Sequence, residues 1–174
     1  MNFLEYIKSC ESSLADDWFK WIVESYPEPS RNYFMKKENA FTNPVGYNLN
    51  QSLRILLENI CNGSIESKEF EDALTMILKI RSSQSIDPWQ TVNFFEYLWI
   101  RYIEESKDLG NDKQILNSIP YYHKLLAKSL SKFIEIQQLI AEIQKNEIRN
   151  QYGKILERLN QRYSLLKDEN NQNK

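Results

Sequence analysis

The stretch Phe41-Thr-Asn-Pro-Val-Gly46 contains a sequence signal for the start of a helix. Asp87-Pro88 contains a second signal of the same kind. In each, a short polar residue, Asn43 or Asp87, stands directly before a proline. The side-chain oxygen of such a residue can accept a hydrogen bond from a free backbone N–H of the first turn. A proline at the first helical position has no N–H to leave unpaired. Both dipeptides therefore predict a helix N-terminus, with Pro44 and Pro88 as the first helical residues.

Apolar residues follow these two starts, and two further starts, at steps of three and four, which is the spacing of a helix face. The predicted helices run from Phe3 to Tyr26, from Asn43 to Gly63, from Ser67 to Ile80 and from Asp87 to near Gly110, with Trp89, Val92, Phe95, Leu98, Trp99, Tyr102 and Ile103 facing inward on the last of these. A short helix is also expected to begin at Ser30 and to carry Tyr33, Phe34 and Phe41. No stretch alternates apolar and polar residues as a strand does, so the prediction is an all-α, compact multi-helix bundle.

The last segment differs from the others, because Gly153 is its single glycine and no proline follows Pro120. A continuous helix from about Pro120 to Lys167 would be roughly 70 Å long at ~1.5 Å per residue, longer than a small domain is wide, so its end is expected to project. Its apolar residues recur at three- and four-residue steps, as in a coiled-coil seam. We therefore predict a compact domain at 1–118 and a long helix with a polar tail at 119–174. The residues expected to mediate association are Phe133, Ile140, Ile148, Tyr152, Ile155 and Leu159.

Bulk properties exclude several classes of protein. The 174 residues carry a formal net charge of −2, which argues against a dedicated nucleic-acid binder. Cys10 and Cys61 form no CxxC motif, so no metal site and no disulfide framework is expected, and free thiols fit a reducing cytosol. No leader is visible at the N-terminus, and no apolar run approaches the ~20 residues that span a bilayer. The prediction is a cytoplasmic protein without a membrane span.

Two short motifs at matched separation, Phe41-Thr-Asn-Pro-Val-Gly46 and Ile80-Arg-Ser-Ser-Gln84, with Pro88 and an aromatic-rich helix after them, resemble the N-terminal domain of RsbRD. RsbRD proteins are co-antagonists in the stressosome. The similarity covers roughly residues 14–106. Related stressosome sensor domains are globin-like without haem, so the resemblance implies a globin-like bundle that senses a signal and acts through protein partners.

The ending of the chain resembles that of small stand-alone members of this family, through residues 142–150 and Leu156-Glu-Arg158. Some of those members occur in sulfate- and sulfite-reducing bacteria. The larger members pass a helix from the sensory domain into a STAS domain. Fewer than ten residues follow Lys167 here, so no STAS domain is expected.

Arg81 and Gln84 match the family motif, and two interpretations stand side by side. The guanidinium of Arg81 offers five donors and could contact an anionic ligand. The favoured alternative is structural, with both side chains bonding carbonyl groups at helix ends. Trp89 and Tyr47, with other aromatic residues, could line a pocket, although aromatic residues at helical spacing are more often core.

His123 is the single histidine of the chain. A haem-binding globin would need such a residue as an axial ligand, but a place in the first turn of the last helix favours a solvent-facing role. Catalysis would need a nucleophile with a base beside it or paired carboxylates in a pocket, and no such constellation is visible. We therefore expect no enzyme, no cofactor and no metal.

The functional prediction is a non-enzymatic regulatory, sensor-like or scaffold module that acts through protein–protein interaction. Its long C-terminal helix is expected to mediate association with a protein partner or with a second copy, as a homodimer. Two alternatives remain open: an accessory protein of dissimilatory sulfite or sulfur metabolism, and a ligand- or haem-binding sensor of globin type.

Overall fold

The computed structural model describes residues 1–36, 41–84, 86–110 and 112–172, with side chains described as far as residue 162. Every regular element in these ranges is helical, which confirms the predicted all-α class. The elements, in chain order, are α1 Phe3–Ser9, α2 Glu11–Glu24, α3 Glu28–Phe34, α4 Pro44–Cys61, α5 Lys68–Ser82, α6 Pro88–Val92, a 3-10 turn Asn93–Phe95, α7 Glu96–Asp108 and α8 Asp112–Gln172.

Asn43 begins α4 and at the same time closes the end of α3. Its Oδ1 accepts a hydrogen bond from the Gly46 backbone N–H at 2.9 Å. Its Nδ2 donates to the carbonyl oxygens of Tyr33, Phe34 and Lys36 at 2.9, 3.2 and 2.6 Å. These carbonyls belong to the last turn of α3 and the residues after it, where a helix leaves its acceptors unpaired. One buried side chain therefore fixes the connection between two helices.

Gly46 is required at this connection by space rather than by backbone conformation. A Cβ atom at Gly46 would collide with the Asn43 side chain and with the Phe34 carbonyl. At the second predicted start, Asp87 accepts hydrogen bonds from the backbone N–H groups of Trp89 and Gln90 at 2.9 and 3.3 Å. Pro44 and Pro88 occupy the first helical positions of α4 and α6.

The core lies where α4 packs against α2 and α5, and where rings of the 3-10 turn contact Trp18 of α2 and Phe70 of α5. Trp18 is fully buried, and its indole N–H donates to the Phe94 carbonyl at 2.7 Å. The Phe94 and Phe95 rings lie 4.4 Å apart, centroid to centroid. Phe70 of α5 stacks on Phe95. Buried apolar residues recur at steps of three and four on both helices, namely Leu49, Leu53, Leu56, Leu57 and Ile60 on α4 and Phe70, Ala73, Leu74 and Ile77 on α5.

The helix predicted from Asp87 to near Gly110 is interrupted. Three consecutive residues, Asn93, Phe94 and Phe95, are all buried in the 3-10 turn. A continuous α-helix would rotate successive side chains by about 100° and expose at least one of them. Trp89 is predicted to face inward but is 58% exposed. The 3-10 turn separates α6, which carries Trp89, from α7, so the two helices do not share one continuous apolar face.

The starts of α3 and α8 also differ from their predictions. The N-cap of α3 is Pro27 rather than Ser30, since a proline such as Pro29 is tolerated in the first helical turn. The predicted long C-terminal helix is present, but α8 already begins at Asp112 and carries Pro120 in its interior. A proline there removes one backbone hydrogen bond from the helix.

The chain divides into two compact units, Met1–Ile136 and Gln137–Lys174, so the division falls later than the predicted boundary after residue 118. The first half of α8 belongs to the first unit. Its Leu125 is fully buried, and Ser129 Oγ donates to the Val92 carbonyl at 2.8 Å. None of the described helices is both long enough and apolar enough to cross a membrane.

A network of ion pairs ties α8 to the start of α5 within the first unit. Lys128 Nζ lies 2.7 Å from Glu66 Oε2 and 3.3 Å from Glu71 Oε1. Lys132 Nζ lies 3.2 Å from Glu71 Oε2. Burial alone would raise the pKa of Glu71, but hydrogen bonds from Lys132 and Lys128 outweigh it and hold that pKa below its usual range.

We predict that Asn43→Ala lowers the free energy of unfolding by about 3 kcal/mol, since it removes an N-cap and leaves three carbonyls without their donor. Asn43→Asp keeps the capping oxygen but places a carboxylate against the same carbonyls, so it should cost at least as much. Asp87→Ala, which removes an N-cap that accepts hydrogen bonds only from its own helix, α6, should cost about 1 kcal/mol. Urea unfolding measures all three. Equal losses for Asn43→Ala and Asp87→Ala would contradict the double role of Asn43.

We also predict a pH-dependent effect of Glu71→Gln. Because the folded-state pKa of Glu71 is lowered, its contribution to stability is present at neutral pH and is lost as pH falls through that pKa. The variant should be less stable than the native chain at pH 7 by at most about 1 kcal/mol, and the difference should shrink as the pH falls below the usual pKa of a glutamate. Glu69→Gln is the control, because Glu69 lies in the same turn and forms no ion pair with a described residue. A difference that persisted at low pH would contradict the assignment.

Candidate functional site

A cleft of about 440 Å³ opens between the C-terminus of α2, the end of α5 and the segment from α6 to the start of α7. Two indole rings and two carboxylates take part in its walls, and Arg81 is the one basic side chain among the described residues that line it. The lining residues are Trp21, Glu24, Ser25, Arg81, Trp89, Gln90, Asn93 and Glu96. A volume in this range suits a small molecule.

Arg81 lies at the base of the cleft and is 1% exposed. Its Nη2 donates to the Gln90 carbonyl at 2.7 Å, and its Nη1 donates to Ser25 Oγ at 3.4 Å. The guanidinium carbon lies 5.7 Å from the centre of the Tyr26 ring. Arg81 forms no ion pair with any described residue, and its Nε has no hydrogen-bond partner among them. A buried cation therefore stands at the cleft without a carboxylate to neutralise it.

Burial changes the acid–base properties of this pair of side chains. It lowers the pKa of Arg81 and raises the pKa of Tyr26. An arginine starts from so high a pKa that the group stays protonated at neutral pH. Tyr26 stays a neutral phenol for the same reason of burial. The base of the cleft is thus positively charged under ordinary conditions.

The other lining side chains are aromatic, acidic or polar and neutral. Trp89 is 58% exposed, and Glu24 is also exposed. Asn93 is held in place on both sides: it donates to Glu96 Oε2 at 2.8 Å and accepts from the Tyr122 hydroxyl at 3.1 Å. The hydroxyl of Ser25 donates to the Ile22 carbonyl at 2.6 Å.

The structure brings together two of the four predicted ligand-contact residues. Arg81 and Trp89 line the same cleft, whereas Tyr47 and Gln84 do not. Arg81 also bonds a helix carbonyl, as the structural interpretation of its motif expected. Two other aromatic residues, Trp18 and Phe95, are buried in the core rather than in the cleft wall.

Sequence reasoning missed the polar lining residues. Glu24 and Ser25 lie at the end of α2. Asn93 begins the 3-10 turn and Glu96 follows it, and the apolar periodicity did not reveal that turn. The one signal that could have found them is the pair of prolines after Tyr26, which places the end of α2 close to a turn.

His123 and the two cysteines lie outside this cleft. His123 is exposed on α8, with its ring 6.1 Å from that of Tyr122. Burial raises the pKa of the Cys10 thiol, and it raises that of Cys61 to about 12. Within the described part of the chain, no group of three or more histidine, cysteine or acidic residues is placed to hold a metal ion.

A second concavity, the α4–α5 groove, has a volume of about 590 Å³ and an acidic rim. Its apolar part is formed by half-exposed Ile55 and Met76, and its rim carries Glu58, Glu69 and Asp72. It lies wholly within the first unit.

The second unit carries an exposed apolar face on α8. Ile148, Tyr152, Ile155 and Leu159 are 54, 66, 51 and 56% exposed. Their steps of four, three and four residues place them within an arc of about 60° on a helix with 3.6 residues per turn. We call these four residues the tail face. Of the other residues predicted for association, Phe133 and Ile140 are half-buried.

Basic residues predominate around the tail face. Between residues 148 and 162 the chain carries Arg149, Lys154, Arg158 and Arg162 but a single acidic residue, Glu157. Glu157 lies about 180° around the helix from Ile148. The tail face is therefore an apolar stripe with a positive flank.

Comparison with known protein families, with curated proteins and with solved structures gives no match for this chain. The similarity to the N-terminal domain of RsbRD accordingly stays a prediction from its two motifs.

We predict that both thiols react slowly in the folded protein. A pKa of about 12 leaves Cys61 at pH 8 with a thiolate fraction about a thousandfold below that of an ordinary cysteine. Ellman's reagent should therefore label the folded chain at least about tenfold more slowly than the chain unfolded in urea. Cys10→Ser and Cys61→Ser assign each phase. A thiol that reacted equally fast in both states would contradict the raised pKa.

Proposed function

We propose that this chain is a non-enzymatic association module of the cytoplasm, a relative of RsbRD-type sensor domains that acts through the tail face of α8. The observation that carries the proposal is the exposure of Ile148, Tyr152, Ile155 and Leu159, each more than half accessible on one narrow stripe. A helix that needed only to be soluble would carry polar residues there. Contiguous exposed apolar residues with a polar surround are typical of interaction sites.

The charges around the tail face indicate which surface it binds. Two copies of the tail face placed against each other would bring basic residues together, which opposes association. The α4–α5 groove has the complementary character, with apolar Ile55 and Met76 inside and Glu69 and Asp72 on the rim. We therefore propose self-association in which the tail face of one copy binds the α4–α5 groove of a second copy.

The energy available makes this association weak. Burying the exposed half of four apolar side chains contributes about 4 kcal/mol in total. Binding also costs translational and rotational freedom, so burial of these side chains alone would give a dissociation constant above ~1 mM, and the attraction between the basic flank and the acidic rim is expected to bring it near ~0.1 mM. Such affinity suits a regulatory contact that a change in local concentration can switch.

Sedimentation velocity between about 10 and 500 μM tests the proposal, since weak association appears only in the upper part of this range. We expect the sedimentation coefficient to rise with concentration and the rise to be lost in Ile155→Asp. Ile143→Asp is the matched control, because Ile143 is 57% exposed on the same helix but lies about 140° away from Ile148. Association should weaken as salt rises from about 50 to 500 mM, because the attraction is between opposite charges.

Charge-reversal variants test whether the tail face binds the α4–α5 groove or some other surface. Asp72→Lys should weaken association, and adding Arg158→Glu to it should restore part of the loss. A native chain that stays monomeric throughout overturns the proposal. An effect of Ile155→Asp without any effect of Asp72→Lys would instead assign the contact to two tail faces.

The accessory role in sulfur metabolism and the haem-binding role stay predictions. No specific contact favours either, since His123 is exposed and does not line the cleft at Arg81.

A further inference from the structure

The cleft at Arg81 has no part in the association proposed above, yet it holds an unusual arrangement of charge. Arg81 is 1% exposed and has two hydrogen-bond acceptors, Gln90 O and Ser25 Oγ, both of them neutral. Its Nε is buried and has no hydrogen-bond partner in the part of the chain that the structure describes. A buried cation without a counter-charge is costly, so a protein that keeps one gains if an anionic group binds beside it.

The remaining charges of the cleft have the opposite sign. Glu24 and Glu96 line it, and neither forms an ion pair with Arg81. Glu96 is positioned by its hydrogen bond from Asn93. A simple anion in the cleft would gain from Arg81 but would also lie near these two carboxylates. A simple cation would gain from the carboxylates but would lie near Arg81.

Aromatic walls complete the arrangement. Trp21 and Trp89 both line the cleft, and more than half of the Trp89 surface is exposed. An indole face attracts an ammonium or a quaternary ammonium group, with tryptophan the most favourable of the aromatic side chains. The exposed indole and the two carboxylates therefore favour a cationic group at the cleft mouth.

We propose that this cleft binds a small zwitterion, a molecule that carries a carboxylate and an ammonium group, of the amino acid or betaine class. The carboxylate lies against Arg81, and the ammonium group lies between the indole of Trp89 and the carboxylates of Glu24 and Glu96. Because Arg81 meets the cleft over so small an area, it gives the ligand one hydrogen bond rather than a bidentate pair. The ligand needs both charged groups. A carboxylate alone would be repelled by Glu24 and Glu96, and an ammonium group alone would be repelled by Arg81.

Isothermal titration calorimetry on the full chain tests this with four probes: glycine betaine, L-glutamine, choline as the cation alone and propionate as the anion alone. At least one of the two zwitterions should bind with a dissociation constant below about 1 mM. Choline and propionate should each bind at least about tenfold more weakly than that zwitterion. No zwitterion binding at concentrations up to about 10 mM overturns the proposal, as does choline or propionate binding as tightly.

Variants that leave the core intact locate the site. Trp89→Ala and Glu24→Gln change exposed side chains, and each should weaken binding of the zwitterion at least about fivefold. Glu24→Gln should leave propionate binding unchanged or stronger. Tyr47→Ala is the matched control, because Tyr47 is a partly exposed aromatic residue that does not line the cleft, and it should bind as the native chain does. Zwitterion binding that was insensitive to both cleft variants would overturn the assignment to this cleft.

The same titration in Ile155→Asp separates the two proposals. Zwitterion binding should be unchanged in that variant, because residue 155 lies in the second unit and the cleft lies in the first. Loss of binding there would overturn the placement of the ligand within the first unit.

Discussion

The bundle depends on one turn of 3-10 helix, Asn93–Phe95, which buries three consecutive side chains. An α-helix cannot do this at the edge of a core, because its side chains leave the axis in directions about 100° apart. The tighter turn directs Phe94 and Phe95 into the core, where the indole of Trp18 donates to the Phe94 carbonyl. It directs Asn93 to the cleft. The core and the cleft are therefore consequences of the same local geometry.

The first half of α8 is held to that turn from the outside. Ser129 donates to the Val92 carbonyl, and Tyr122 donates to Asn93 Oδ1. The first bond satisfies a backbone acceptor where the helix changes from α- to 3-10 geometry, and the second fixes the side chain of Asn93. The interruption of the helix is thus stabilised by a partner helix, and α8 packs here because it supplies the missing donors. A boundary between domains after residue 118 would have separated these groups.

Local features of the fold could be predicted from the sequence, because their causes are local. The helix starts at Asn43 and Asp87 depend on a side chain and a proline that are neighbours in the chain, and the apolar faces of α4 and α5 depend on spacing alone. The 3-10 turn could not be predicted, since its apolar residues continue the steps of a helix and its cause is the partner across the core.

The candidate site was predictable only in part for a similar reason. Arg81 stood out through its motif, and Trp89 through its aromatic side chain. Glu24 and Glu96 are ordinary surface residues in the sequence, separated by most of the first unit, and only packing makes them neighbours of one buried cation. The distinctive property of the cleft is that Arg81 forms no ion pair with a described residue. No sequence pattern predicts that a contact will be missing.

The two units illustrate opposite uses of the same residue types. In the first unit, isoleucine and leucine on helix faces are buried against other helices, and the free energy gained orders the chain. In the second unit, the tail face leaves them exposed, although a polar stripe would suit an isolated helix equally well. Helix propensity therefore does not account for Ile148, Ile155 and Leu159. The association proposed above would cover these residues, and an acidic surface would complement their basic flank.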